Sequence, residues 1–223
     1  MKKKYLVFDL DGTLVDSLPG IAEGVNRALS QLGKPTRSPK EVRSMIGSGA
    51  ANLCARAIGY PDAEQAPQEE LEAVHSLFRR EYPLCWQGER TRPYPGISRM
   101  LCRLLSAGCH LAVLSNKPHE VTGPMVRTLF PAIPFSPVMG FTGQFPRKPS
   151  PEALREIARR WNVSPAELTL IGDSLYDART AANAGCGLAL VAWGYARVPD
   201  LAAWGAPLFG SVDELRFHLL GYH

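Results

Sequence analysis

No run of about 18 uncharged apolar residues, the least a membrane-crossing helix needs, occurs anywhere in the 223-residue sequence. Its cysteines, Cys54, Cys85, Cys102, Cys109 and Cys186, are odd in number, scattered, and form no CxxC pair. That pattern excludes a disulfide framework and a zinc site, and it fits reduced thiols in a cytoplasm. No Lys/Arg block is longer than Lys2–Lys4, and the formal charge is only +4. Bulk charge therefore gives no reason to expect nucleic acid as a partner. The basic start followed by apolar residues imitates an export signal, but Asp9 and Asp11 interrupt the apolar run too early for one. Internal repeats and low-complexity tracts are also lacking. The expectation is a soluble cytoplasmic protein, monomer or homodimer, with no membrane or nucleic-acid partner.

What is present is a set of short apolar runs: Tyr5–Phe8, His110–Leu114, Leu168–Ile171 and Leu188–Ala192. Such runs, separated by helical patterns, predict buried parallel strands in an α/β sheet covered on both faces. Pro207–Phe209 predicts an edge strand, while Pro134–Met139 is ambiguous because of its prolines. Helix starts are predicted at Ser38-Pro39-Lys40-Glu41, Ser164-Pro165-Ala166-Glu167, Ser211-Val212-Asp213-Glu214 and Ser150-Pro151, and stops at Gly33 and Gly108. Residues 18–90 carry no strand signal and read as helices over roughly 18–32, 39–46, 50–58 and 67–82. A strand-bearing chain interrupted in this way predicts an inserted all-α domain at 16–91, within a discontinuous core of 1–15 and 92–223.

The chemistry-bearing residues follow strand ends. Tyr5–Phe8 runs into Asp9 and Asp11, LAVL into Ser115-Asn116-Lys117, and LTLI into Gly172-Asp173-Ser174, with Asp177 four residues beyond Asp173. Ligands of an open parallel sheet bind outside the carboxyl ends of its strands. Four carboxylates, a hydroxyl and an amide are therefore expected at one edge, a grouping that needs cations. Hard oxygens at that density suit Mg²⁺, which leaves coordination positions for water and phosphate. Lys148, just before a predicted helix, is the candidate permanent charge. In such a site Asp9 can attack phosphorus to give an aspartyl-phosphate. Asp11 can protonate the leaving oxygen and then activate water. Ser115 and backbone N–H groups can hold the other oxygens, and Gly12 permits the tight turn.

Asp9-Leu10-Asp11-Gly12-Thr13-Leu14-Val15, Ser115-Asn116, Lys148-Pro149 and Gly172-Asp173-Ser174 with Asp177 resemble, in order and spacing, the four motifs of haloacid dehalogenase-like phosphatases. Pro93-Tyr94-Pro95-Gly96, Asn116-Lys117-Pro118 and Trp193-Gly194-Tyr195 are similar to the phosphoglycolate phosphatase branch with its all-helical cap. The resemblance implies a Rossmann-like parallel core with an inserted helical cap that closes to exclude water and select substrate. It implies Asp9 as nucleophile, Asp11 as acid/base, Mg²⁺ on Asp9, Asp11 (through its carbonyl) and Asp173, and Asp177 supporting metal or lysine. Thr13, Ser115, Asn116 and Lys148 are expected around the phosphoryl group. The implied activity is hydrolysis of a small phosphorylated metabolite, 2-phosphoglycolate first among them.

The pattern departs from that branch at Met139–Phe145, where a Gly-Gly-Asp segment often precedes the motif lysine. A sugar-phosphate mutase or a pyrophosphatase of the same chemistry stays open. So, more distantly, does a phospho-aspartate signalling module, which would be about half this length and lack the insertion. Outside the motifs, Asp16 and Ser17 read as a helix cap, and Lys117 and His119 as solvated loop residues. Arg43, Arg56, Arg79 and Arg80 read as a solvated face, and Gly47-Ser48-Gly49 as a substrate-facing loop.

Overall fold

A computed structural model describes residues 4–222, so Lys2 and Lys3 of the basic start lie outside the described residues. The chain forms two compact units, one of residues 1–15 and 93–223 and the other of Asp16–Arg92. Among the described residues no helix is long and apolar enough to cross a membrane.

In the first unit, β1 (Tyr5–Phe8) is followed by a two-residue strand, β2 (Val15–Asp16), where the chain leaves, and β3 (Arg92–Pro93), where it returns. Then come α5 (Ile97–Ser106), β4 (His110–Pro118), α6 (His119–Leu129), β5 (Val138–Phe141), α7 (Glu152–Trp161), β6 (Leu168–Gly172) and α8 (Leu175–Ala184). The unit ends with β7 (Gly187–Val191), α9 (Val198–Ala202), β8 (Leu208–Phe209) and α10 (Val212–Leu220). Six of these strands make one sheet in the order β5-β4-β1-β6-β7-β8, and its pairings are parallel. Val7, Ala112, Leu114 and Leu170 point to one face, where they cluster with Ala153, Leu154 and Ile157 of α7 and with Ala181 of α8. Alternation sends Leu6 and Phe8 to the other face, and both are also fully buried. A sheet buried on both faces explains why its strands read as unbroken apolar runs instead of alternating ones.

The second unit is helical: α1 (Leu18–Gln31), α2 (Pro39–Met45), α3 (Ala50–Ala57) and α4 (Gln68–Cys85). Helices α1 and α4 pack closely because Gly24 has no side chain; a Cβ there would lie 3.2 Å from Phe78 and Tyr82. Ser38 caps α2 with a full capping box. Asp16, and not the Ser17 side chain, accepts the Leu18 N–H at the start of α1. Arg56 is no solvated residue either, since its Nη1 donates to the Met45 carbonyl and to Ser48 Oγ, tying down the Gly47–Gly49 loop.

One local signal is overridden, and one ambiguous stretch is resolved. Ser164 forms its capping box with Glu167, but the helix stops after the single 3₁₀ turn Pro165–Glu167 and Leu168 turns extended. The burial available to Leu168–Gly172 in the middle of the sheet outweighs the local start signal. The ambiguous proline-rich stretch resolves into β5, with Pro134 and Pro137 ahead of the strand, at the sheet edge where proline is tolerated.

Candidate active site

Strand register brings the acids together. Phe8 pairs with Val113 of β4 on one side and with Ile171 of β6 on the other, and the Asp9 N–H donates to the Ile171 carbonyl at 2.9 Å. Asp9 and Asp173 therefore leave adjacent strands at the same end, and Ser115 lies beside them on β4, which continues to Pro118 instead of ending with the apolar run. Carboxylate oxygens of Asp9, Asp173 and Asp177 lie within 4.8 Å of one another, and all three residues are buried.

Each carboxylate is individually fixed. Asp9 Oδ1 accepts from the Leu10 N–H at 2.7 Å and pairs with Lys148 Nζ at 2.9 Å. Asp173 Oδ1 accepts from the Thr13 hydroxyl at 3.1 Å, and its Oδ2 from the Tyr195 N–H at 2.7 Å. Asp177 Oδ1 accepts from Lys148 Nζ at 2.6 Å, and its Oδ2 from the Ser174 hydroxyl at 2.5 Å within the capping box that starts α8. Three glycines let this cluster close. At Gly12, where φ is +83°, a Cβ would lie 2.4 Å from Asp173 Oδ2. A Cβ on Gly172 would lie 2.2 Å from Asp177 Cγ, and one on Gly194 2.2 Å from Asp173 Cβ.

The electrostatics are unbalanced. Three buried carboxylates face one ammonium, leaving a formal charge of −2. Burial pushes Asp9 up to about 8, further raised by Asp177 and Asp173 against the opposing pull of Lys148. Asp173 is pushed up to about 7, again chiefly by burial and then by Asp177. Lys148 is shifted upward by Asp177 and Asp9, which outweigh its own burial. A hard-oxygen cluster short of two positive charges fits a divalent cation such as Mg²⁺.

The remaining expected residues take distinct places. Asp11 carries its carboxylate away from the acid cluster, onto Lys117, whose Nζ lies 2.9 and 3.1 Å from its two oxygens. Lys117 is buried, so its reading as a solvated loop residue does not hold. Asn116 grips the main chain of Lys148: its Nδ2 donates to the carbonyl at 3.0 Å and its Oδ1 accepts the N–H at 2.7 Å. Ser115 is buried within β4, with its Oγ accepting from the Lys117 N–H at 3.3 Å. His119 accepts the Gly140 N–H on Nδ1. Trp193 donates its indole N–H to the Thr13 carbonyl at 3.1 Å. Its position just past the end of β7, beside the strand whose end carries Asp173, was the available signal.

Residues 6–191 match the family model of haloacid dehalogenase-like hydrolases. The phosphoglycolate phosphatase of Chromobacterium violaceum is 33% identical over 219 residues, covering 95% of this chain and 94% of that protein. The phosphoglycolate phosphatase of Escherichia coli strain K12 is 33% identical over 206 residues, covering 85% and 81%. A crystal structure of a candidate phosphoglycolate phosphatase from Lactobacillus delbrueckii subsp. bulgaricus superposes with a TM-score of 0.89 at 29% identity, covering 99% of this chain and all of that one.

Proposed function

The chain belongs to the haloacid dehalogenase-like hydrolases, in the phosphoglycolate phosphatase-like branch, and from that premise we propose a Mg²⁺-dependent phosphatase whose first substrate is 2-phosphoglycolate. The relatives make it a phosphoric monoester hydrolase; substrate, metal and covalent intermediate are the proposal. The observation that carries it is the buried cluster of Asp9 and Asp173, at the ends of adjacent strands, with Asp177 in the first turn of α8, around a single ammonium.

Asp9 Oδ1 is held by Leu10 N–H and Lys148, which leaves Oδ2 as the oxygen that attacks phosphorus. The bond from phosphorus to the leaving oxygen breaks as the Asp9–phosphorus bond forms, and Asp11 donates a proton to that oxygen. Asp11 then takes a proton from water, which attacks the aspartyl-phosphate and releases inorganic phosphate and free Asp9. Lys148 keeps Asp9 oriented and lends positive charge to the transferring group, while Ser115 offers its hydroxyl to a non-reacting oxygen. Asp9, the Asp11 carbonyl, Asp173 and Asp177 are the residues that would hold Mg²⁺, which supplies charge opposite the phosphoryl oxygens when bound. Among the described residues no disulfide joins the five cysteines, which supports a cytoplasmic setting.

The test is release of inorganic phosphate from a panel of phosphorylated metabolites, 2-phosphoglycolate included, with Mg²⁺ and with chelator. Wild type should release phosphate only with Mg²⁺, and Asp9→Asn should be slower by about 10³-fold or more. Equal rates for wild type and Asp9→Asn would remove the nucleophile assignment. Phosphate returned to the substrate at another position, in place of release, would instead identify a mutase.

A further inference from the structure

Beside the acid cluster, within the first unit, lies a cavity of about 290 Å³. Its walls come from Leu114–Asn116 of β4, from β5, and from the segment 142–148 that leads into α7. No Asp or Glu lines it, and the run Met139–Arg147 contains none. Three cationic side chains do line it. The Lys148 ammonium is committed to Asp9 and Asp177, and the Arg160 guanidinium to Glu156 at 2.8 Å. Arg147 makes no ion pair among the described residues, and its Nε is buried with no hydrogen-bond partner there.

Arg147 is nevertheless fixed. Its guanidinium carbon lies 3.4 Å from the centroid of the Phe141 ring, a cation–π stack that occupies the face of the group and leaves the N–H edges free. Those edges are the part that recognises carboxylate or phosphate, two N–H groups to two oxygens. Its partial burial without an acidic neighbour disfavours the charged form, the signature of a cation held in place with no counterion supplied by the protein. The rest of the lining is apolar body and neutral donors: Val138, Met139 and Phe145, with Thr142 and Gln144. The wall on the β5 side is rigid, because Gly140 is so close to the start of α6 that a Cβ would lie 2.7 Å from His119 Cα.

We propose that this cavity binds a small organic anion, a carboxylate or phosphate on a short apolar body, gripped by the Arg147 guanidinium stacked on Phe141. Its volume, at the lower end of ligand pockets, suits a metabolite of a few heavy atoms. The anion has two sources: the carboxylate of the phosphorylated substrate itself, or a separate small acid. Only the first rests on the phosphatase reading.

The test is calorimetric titration of the full-length protein, metal-free, with propionate as probe. Wild type should bind it saturably, and Arg147→Gln should weaken binding by roughly tenfold or more, as loss of a charge-assisted pair requires. Gln144→Glu, an exposed substitution that sets a carboxylate in the same cavity, should weaken it as well and guards against misfolding of the first variant. Absence of saturable binding to wild type, or equal affinity in wild type and both variants, would overturn the proposal. The sources separate in wild-type kinetics. Propionate that competes with 2-phosphoglycolate but not with p-nitrophenyl phosphate marks the substrate's own carboxylate, whereas an equal effect on both marks a separate ligand. A protein that binds propionate but hydrolyses nothing would sink the phosphatase reading and leave the anion site standing.

Discussion

The side-chain amide of Asn116 closes on both main-chain polar groups of Lys148, accepting its N–H at 2.7 Å and donating to its carbonyl at 3.0 Å. A residue placed by sequence beside the phosphoryl group thus acts, in the structure, on the lysine. Removing the amide leaves a buried N–H and a buried carbonyl unpaired, about 1–3 kcal/mol each, and frees the backbone that aims the ammonium at Asp9. Asn116→Ala should lower kcat by about 10²-fold, the scale of a displacement of 1 Å or so at a reacting centre. Steady-state kinetics on the best substrate would check it. A kcat within twofold of wild type would show that Lys148 holds its position without this clamp.

The acid cluster also sets a pH dependence. Asp9 and Asp173 are raised from the carboxylate range to about 8 and about 7, chiefly by burial. A raised carboxyl makes the native state bind protons that the unfolded chain has released, so stability falls with rising pH from about 4 to about 8. The lowered carboxyls Glu41, Glu70, Glu81 and Glu156 act below this window, and Lys148 stays charged throughout it. Metal must displace the same protons, so Mg²⁺ should raise Tm more at pH 8 than at pH 6. Thermal melts with EDTA and with excess Mg²⁺ across that range provide the comparison. Chelated protein gaining stability between pH 6 and pH 8 would contradict the assignment.

Gly172 is the third lever. An added methyl would overlap Asp177 Cγ, in a strand that is buried throughout, so neither neighbour can move outward. Gly172→Ala should cost about 1–3 kcal/mol through overpacking, which for a chain of this size lowers Tm by roughly 2–10 °C. It should also lower activity by more than the stability loss explains, since Asp177 is one of two carboxylates holding Lys148. Tm and kcat measured on the same preparation test both halves. An unchanged kcat would separate Asp177 from the working geometry.

Much of this was legible in the chain. Asp9 and Asp173 could be placed because each directly follows a short apolar run, and a buried parallel strand advertises itself by composition alone. Asp177 followed from its spacing, since the turn after β6 returns it to the cluster. Lys117 was illegible for a reason of distance: its partner Asp11 lies 106 residues away, and a lysine in a loop looks solvated until that carboxylate is seen beside it. The same holds for Trp193, whose indole meets a carbonyl 180 residues off. Arg147 stands beside a motif lysine, yet its isolation from acids is a property of the surrounding surface that no local pattern encodes. Ser164 shows the opposite failure, a correct cap that starts a single turn because the strand behind it had more apolar area to bury.

Asp9 and Asp173 directly follow β1 and β6, Asp177 lies in the first turn of the helix after β6, and Ser115 and Asn116 lie on β4; these three strands each have paired neighbours on both sides in the middle of the six-stranded sheet. Fraying begins at edges and termini, and segments flanked on both sides open only when the whole cooperative unit does. Heat or denaturant therefore cannot dismantle this site while leaving the rest of its unit folded. Catalytic death and loss of the sheet should fall on one curve, so that residual activity serves as a direct count of intact molecules.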